Sequence, residues 1–293
     1  LIKLFVYNSS ISNNLLDLFT LAKIYLKGIW VDKDAKQGIN YLTIAADENY
    51  LDAQYLLASM YSSGYETEPN IEKAVHYYTL AANQNYSDAQ YYLGALYRKD
   101  DAFHDIQKSI FYLELAAEQN HKKAQFLLGL TYNEGKYIEA DMEKAIYYFS
   151  LSANQNYAKA HFHLGLIYYQ HYHVISKAIH HFSFCENKKF TSALLLLGNI
   201  YYEGDDVQVD KDKGLYYLTK AANFNNINAQ FQLGYIYSRK NEPFYDINKA
   251  IKYLSLGASQ GNSLAQRFLG KIYYSGENIE KNYTKANYYF MQA

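Results

Sequence analysis

Six of the nine histidines fall close together: His161, His163, His171, His173, His180 and His181. Neutral imidazole is a common metal ligand, so zinc-assisted chemistry is the first possibility such a cluster raises. The spacing opposes it. His161 and His163 are two apart and would point about 160° from each other on a helix. His180 and His181 are adjacent, and no HExxH arrangement occurs. The single cysteine, Cys185, follows His181 and His180 at offsets of four and five, which any His-rich helix supplies. A Cys/His pair could support nucleophilic catalysis, but no third, orienting group accompanies it. Cys185 also sits where a close-packed alanine is expected, which predicts a buried thiol behaving as a small hydrophobe. No catalytic, cofactor-binding or metal-ligating residue is assigned.

The elements that position these residues follow from a repeat. A leucine precedes a tyrosine by four residues eight times: Leu21/Tyr25, Leu57/Tyr61, Leu93/Tyr97, Leu128/Tyr132, Leu164/Tyr168, Leu197/Tyr201, Leu233/Tyr237 and Leu269/Tyr273. The tyrosines are 36, 36, 35, 36, 33, 36 and 36 residues apart. A fixed period in this range marks stacked supersecondary units. Counted from a small residue (Ala53, Ala89, Ala124, Ala160, Ala193, Ala229 or Ala265), leucine is at plus four, Gly or Ala at plus five and tyrosine at plus eight, all on one helical face. A residue without bulk inside a helix, as at Gly94, Gly129, Gly165, Gly198, Gly234 and Gly270, predicts that another backbone passes close.

A turn, often carrying glycine, should end each first helix, as at Gly28, Gly64, Gly135, Gly204 and Gly276. The second helix is announced by Asp34, Asn70, Asp105, Asp141, Asp210, Asp246 and Asn282, whose side chains can accept from the free N–H groups of the first turn. It carries an aromatic residue at Tyr41, Tyr77, Tyr112, Tyr148, Tyr217, Tyr253 and Tyr289, and closes on small pairs such as Ala81-Ala82 and Ala221-Ala222.

The strings AQYYLGALY (Ala89 to Tyr97) and DMEKAIYYFSLSA (Asp141 to Ala153) resemble the Sel1-like repeat, a relative of the tetratricopeptide repeat. The resemblance implies an all-α, right-handed superhelical solenoid of antiparallel helix pairs. It also implies scaffold or adaptor roles in signalling and in endoplasmic-reticulum quality control, with no shared catalytic residues. Residues 1–16 are expected to be an N-terminal flank or partial capping helix. Residues 17–293 form eight repeats starting near 17, 53, 89, 124, 160, 193, 229 and 265, the last one truncated, in one elongated array.

Composition narrows the partner class. With 28 Lys+Arg against 29 Asp+Glu, no basic excess exists to neutralise a run of phosphates, so nucleic acid is not the expected partner. No stretch is apolar enough to cross a bilayer, and LIKLFVY (Leu1 to Tyr7) is too short for a signal-peptide core with its flanks. One cysteine excludes an internal disulfide framework and suits a cytoplasmic setting, with the endoplasmic-reticulum lumen or secretion as the alternative if a signal peptide precedes residue 1. The sequons at Asn8, Asn85 and Asn282 are about as many as chance supplies. The chain reads as a piece of a longer protein.

The fifth repeat departs from the pattern at several places. It has His171 where other units often have glycine, Val174 in place of the cap, Cys185-Glu186 in place of the alanine pair, and a following step of 33 residues. Two readings stand: three residues were lost from the connection before Ala193, changing local curvature, or the unit bears a site of its own. Curvature is preferred.

Function then falls to the first-helix face that neither packs nor repeats, at plus three, plus six and plus ten. From it Tyr92, Lys99, Leu130, His163, Leu166, Gln170, Asn199, Glu203, Gln232, Tyr235, Arg239 and Lys271 are the expected partner contacts. Leu127, Leu130, Leu166 and Leu196 could instead be buried between neighbouring first helices, and the row Tyr55, Tyr91, Phe126, Phe162, Phe231 is assigned to packing. The leading reading is a non-catalytic scaffold holding a protein or peptide in a concave groove, with a small-molecule ligand not expected. The alternatives are a regulatory repeat module of a kinase-like enzyme, a metal-assisted site in the fifth repeat, and an endoplasmic-reticulum quality-control adaptor.

Overall fold

The computed structural model describes residues 14–99, 102–186, 190–204, 207–276 and 278–293. Most of the expected N-terminal flank, and the Asn8 sequon, lie outside the described residues. Among those residues every regular element is an α-helix, sixteen in all. They fall into two compact units, one ending at Gln155 and the other beginning at Asn156.

The first unit holds α1 (Leu15–Lys27), α2 (Ala35–Asp47), α3 (Leu51–Ser63), α4 (Ile71–Asn83), α5 (Ser87–Arg98), α6 (Ile106–Glu118), α7 (Lys122–Glu134) and α8 (Met142–Asn154). The second holds α9 (Ala158–Gln170), α10 (Ile175–Phe184), α11 (Thr191–Glu203), α12 (Lys211–Asn223), α13 (Ile227–Ser238), α14 (Ile247–Ser259), α15 (Ser263–Ser275) and α16 (Tyr283–Gln292). Within each unit an odd-numbered helix packs on the even-numbered one that follows it, and that helix packs on the next odd one. Four helix pairs thus stack in each unit.

The expected punctuation is in place. Gly28, Gly64, Gly135, Gly204 and Gly276 end odd helices in the left-handed region, at φ between 59° and 80°, where a side chain would be strained. All seven expected caps accept from the N–H three residues on, at 2.9–3.0 Å. The cap residue's own N–H donates to the carbonyl of the repeat tyrosine, for example Asn70 to Tyr61 at 2.9 Å. One residue therefore starts the second helix and ties it to the first.

The two aromatic rows meet in stacks. In every pair the plus-eight tyrosine lies against the ring of the second helix, with centroids 5.6–6.3 Å apart and planes within 26° of parallel. In seven pairs a lysine ammonium lies 4.0–5.4 Å from the ring of the plus-eight tyrosine, as with Lys144 over Tyr132. Such contacts add roughly 0.5–1 kcal/mol each at exposed sites. The plus-five glycines answer to the same partner helix. A Cβ built on Gly94, Gly129, Gly165, Gly198, Gly234 or Gly270 would lie 2.5–2.7 Å from Leu113, Phe149, Phe182, Leu218, Leu254 or Phe290, with backbone of the second helix at 3.0–3.1 Å at Gly94, Gly198 and Gly234.

A further row was not singled out by the sequence reading. Gln54, Gln90, Gln125, Gln230 and Gln266 are buried, and each donates through Nε2 to the carbonyl of the second alanine of the preceding helix, or its equivalent Ala258, at 3.0–3.3 Å. The Oε1 of the first four accepts from Gln84, Gln119, Gln155 and Gln260 at 2.7–2.8 Å. Each of these carbonyls also accepts a backbone N–H, for example Asn85 to Ala82 at 2.9 Å, so the glutamine adds a second bond that ties one repeat to the next and pairs its own buried amide.

The fifth pair differs from expectation in one respect. Seven residues (135–141) link α7 to α8, but only four (171–174) link α9 to α10. From the cap position to the next small residue the count is unchanged: Asp141 to Ala160 and Val174 to Ala193 are both 19 steps. The three missing residues belong to the link inside the pair, not to the connection before Ala193, because the short turn at His171 replaces a glycine-ended loop. Val174 makes no side-chain cap bond. Val174→Asp is accordingly expected to raise stability by about 0.5–1 kcal/mol, read as a higher urea midpoint; an unchanged or lower midpoint would count against the cap.

Candidate functional site

None of the twelve expected contact residues is buried. Lys99, Gln170, Glu203, Tyr235, Arg239 and Lys271 are exposed, and Tyr92, Leu130, His163, Leu166, Asn199 and Gln232 are half-buried. All lie on odd helices or just beyond their ends. The repeat leucines behave differently: Leu21, Leu57, Leu93, Leu128, Leu197, Leu233 and Leu269 have no exposure at all.

In the first unit Tyr92 serves packing as well as surface. Its ring lies parallel to Tyr78 at 5.6 Å and tilted against Tyr55 at 6.2 Å, joining two repeats. Lys99 stands at the rim of a depression of about 240 Å³ that also involves Thr131, Lys136 and Tyr137. Across it Arg98 reaches the next odd helix, donating to Thr131 Oγ1 at 3.0 Å and to Glu134 at 2.5 Å. A larger, more apolar cavity of about 330 Å³ opens between α1 and α3, floored by Leu26 and Met60 and walled by Phe19, Tyr55 and Leu56. None of the twelve expected contacts lines it, although the same offsets counted from residue 17 point to Lys23 and Lys27 on its edge.

In the second unit the structure joins Tyr235 to Lys271 through Phe268. Tyr235 stands edge-on to Phe268 with centroids 5.5 Å apart, and Phe231 does so at 5.7 Å. Arg239 lies over the Tyr235 ring at 5.7 Å and Lys271 over Phe268 at 5.5 Å. Arg239 also pairs with Glu242 at 3.4 Å. Gln232 leaves its Oε1 buried without a hydrogen-bond partner. Leu166 packs at the edge of the core, Asn199 is half-buried, and Glu203 and Gln170 are exposed. Exposed aromatic and guanidinium groups beside apolar ones are what interface anchors are made of.

The histidines of the fifth pair occupy structural slots. His161 stands where five other repeats carry the buried glutamine, and His181 where all the others carry the stacked tyrosine. Their Nδ1 atoms are 3.1 Å apart, so one ring donates and the other accepts. His161 lies flat on Phe184 at 3.8 Å, and His181 on Tyr168 at 5.6 Å. Burial, followed by the neighbouring His161, His180 and Lys177, holds His181 down to about 4. His163 is lowered by burial and then by Lys159. His171, His173 and His180 are exposed. Among the described residues no three His, Cys, Asp or Glu side chains converge as a metal ion would require.

Cys185 is fully buried, as its alanine slot implies, with Sγ 3.4 Å from the Ala158 carbonyl. Burial pushes its thiol up to about 12, which removes the thiolate a nucleophile needs at neutral pH. Of the sequons, Asn282 is a helix cap, and Asn85 accepts from Gln119 at 3.0 Å in a left-handed turn. Among the described residues no helix is long and apolar enough to cross a membrane.

Comparison with known proteins agrees with this architecture. Residues 18–50, 51–86, 87–121, 122–157, 191–223, 227–262 and 263–293 match the Sel1 repeat. The matched segments leave out the fifth pair, the one whose link, cap and glutamine have changed. Among solved structures, the chain is similar to a protective antigen present in uropathogenic Escherichia coli strains that displays an SLR fold. The identity is 26% and the TM-score 0.85, over 98% of this chain and 62% of the antigen. The chain therefore spans less than two thirds of that protein's length. It is also similar to a Sel1 repeat protein from Oxalobacter formigenes, at 24% identity and TM-score 0.79, over 99% of this chain and 85% of that one. No match is found among curated proteins.

Proposed function

We propose, for a chain that belongs to the Sel1 repeat family, a non-catalytic scaffold that binds a protein or peptide segment along the open face of its odd-numbered helices. The observation that carries this reading is the division of the repeat into two sets of residues. The recurring positions are consumed by packing, capping and the glutamine ladder, while the positions that vary from repeat to repeat keep solvent exposure. A variable open face with aromatic and cationic groups on a rigid, repetitive frame is suited to recognition of an extended surface. The inert Cys185 and the packed His161–His181 pair support a non-catalytic role.

Charge substitutions at Leu130, Leu166 and Tyr235, combined in the full chain, are expected to abolish capture of its partner in a pull-down while the helical circular dichroism persists. Undiminished capture by that variant would remove the open-face reading. Tyr235→Glu alone, at a side chain 41% exposed, provides the version least able to disturb the core.

A further inference from the structure

The cavity between α1 and α3 has the features of a side-chain socket. Its floor is core: Leu26 and Met60 are 5% and 2% exposed and belong to the main apolar cluster of the first unit. Its walls, Phe19, Tyr55 and Leu56, are half-buried, and Tyr65, which is 57% exposed, stands at the mouth. A volume of about 330 Å³ is large enough for a leucine or aromatic side chain.

The rim is charged asymmetrically. Lys23 and Lys27 lie one turn apart on α1 and are both exposed, with the Lys23 ammonium 5.1 Å from the Phe19 ring. Asp52, also exposed, stands on the α3 side. Two cations on one wall and one carboxylate on the other favour an occupant that carries negative charge toward α1. They also set its direction, since a cationic or N–H group would then face Asp52.

We infer that this cavity is a docking site for an acidic protein segment, one that inserts a single large apolar side chain between α1 and α3 with carboxylates lying against Lys23 and Lys27. The inference rests on the open-face reading above and gives it a partner chemistry. Lys27 also suits the carbonyl end of α1, where a cation is favourable in any case. That role explains neither Lys23 nor an open apolar socket beside the pair.

A random-peptide display library panned against the full chain tests this. Enriched peptides are expected to share an apolar residue flanked by Asp or Glu. They should bind the Lys23→Glu/Lys27→Glu variant at least about tenfold more weakly, a loss equivalent to ~1.4 kcal/mol or more, and lose affinity steeply with salt. Because both lysines are exposed, that variant should keep the wild-type melting temperature. Leu56→Glu, checked for fold in the same way, should also lose them. Peptides without acidic residues, or peptides held equally by the lysine variant, would overturn the inference. Peptides insensitive to these variants but lost from Tyr235→Glu would overturn it and leave the open-face reading intact. Enrichment of none would count against both.

Discussion

Replacing Phe149 by alanine is expected to destabilise the protein by about 3–5 kcal/mol, the range for deleting a fully buried aromatic side chain. Phe149 has no exposed surface and fills the space that Gly129 leaves on α7, with ring atoms 2.5 Å from where a Cβ would stand. Gly129→Ala should therefore also destabilise, by about 1–3 kcal/mol, although alanine is the better helix former. Gly257 supplies the opposite case. A Cβ there meets nothing closer than 3.4 Å, so Gly257→Ala restores the small pair found in other repeats and should stabilise by about 0.5–1 kcal/mol. Urea titrations of the three variants check the ordering. A Gly129→Ala protein as stable as the parent would mean that the close approach of α7 and α8 is not a constraint.

Acidification from pH 7 toward pH 4 is expected to weaken the fifth pair through His181, whose Nδ1 lies 3.1 Å from that of His161. An unperturbed imidazole titrates near ~6.5, whereas His181 is held down to about 4, chiefly by burial. The folded protein thus binds fewer protons at this site than the unfolded chain. The stability this represents is complete above ~6.5 and is lost as pH falls through the interval down to about 4. His181 is only half-buried, so solvent screening reduces the effect to about 1–2 kcal/mol. The double substitution His161→Gln/His181→Tyr restores the glutamine that five other repeats carry and the tyrosine that all the others carry. The difference in melting temperature between parent and variant should therefore widen on acidification. A difference independent of pH would show that the pair does not titrate with folding.

These two expectations draw on features that differ in how far they are legible in sequence. The Leu/Tyr register, the glycine row and the seven caps follow from period and spacing, because each is a local rule repeated on one helix. The glutamine ladder is present in recurring Ala-Gln dipeptides, but its acceptors are backbone carbonyls of the preceding helix, such as that of Ala82 for Gln90, which carry no residue identity. The 33-residue step records only a total between Tyr168 and Tyr201. Its position in the link 171–174 depends on the counts to the cap and to Ala193 taken separately. The meeting of His161 with His181 joins two helices across twenty residues, a contact that local spacing along the chain does not encode.

The candidate surface was legible to the level of a helical face. The offsets plus three, plus six and plus ten select residues of which none is buried. They do not say which of them also pack, as Tyr92 does, or where two odd helices part far enough to leave a cavity, as α1 and α3 do. Those are properties of the space between helices, set by the shapes of neighbours such as Met60 and Leu26.

The division between a packing face and an open face is tested most directly by site-specific photo-crosslinking in cells. A photoreactive residue is placed in turn at Asn199, Gln232 and Lys271 on the odd helices, and at Phe111, Tyr147 and Tyr216 on the outer surface of the even ones, the latter three all more than half exposed. The account predicts one discrete partner adduct from the odd-helix positions and none from the even-helix positions. The same adduct arising from Phe111, Tyr147 or Tyr216, with none from Asn199, Gln232 or Lys271, would contradict it.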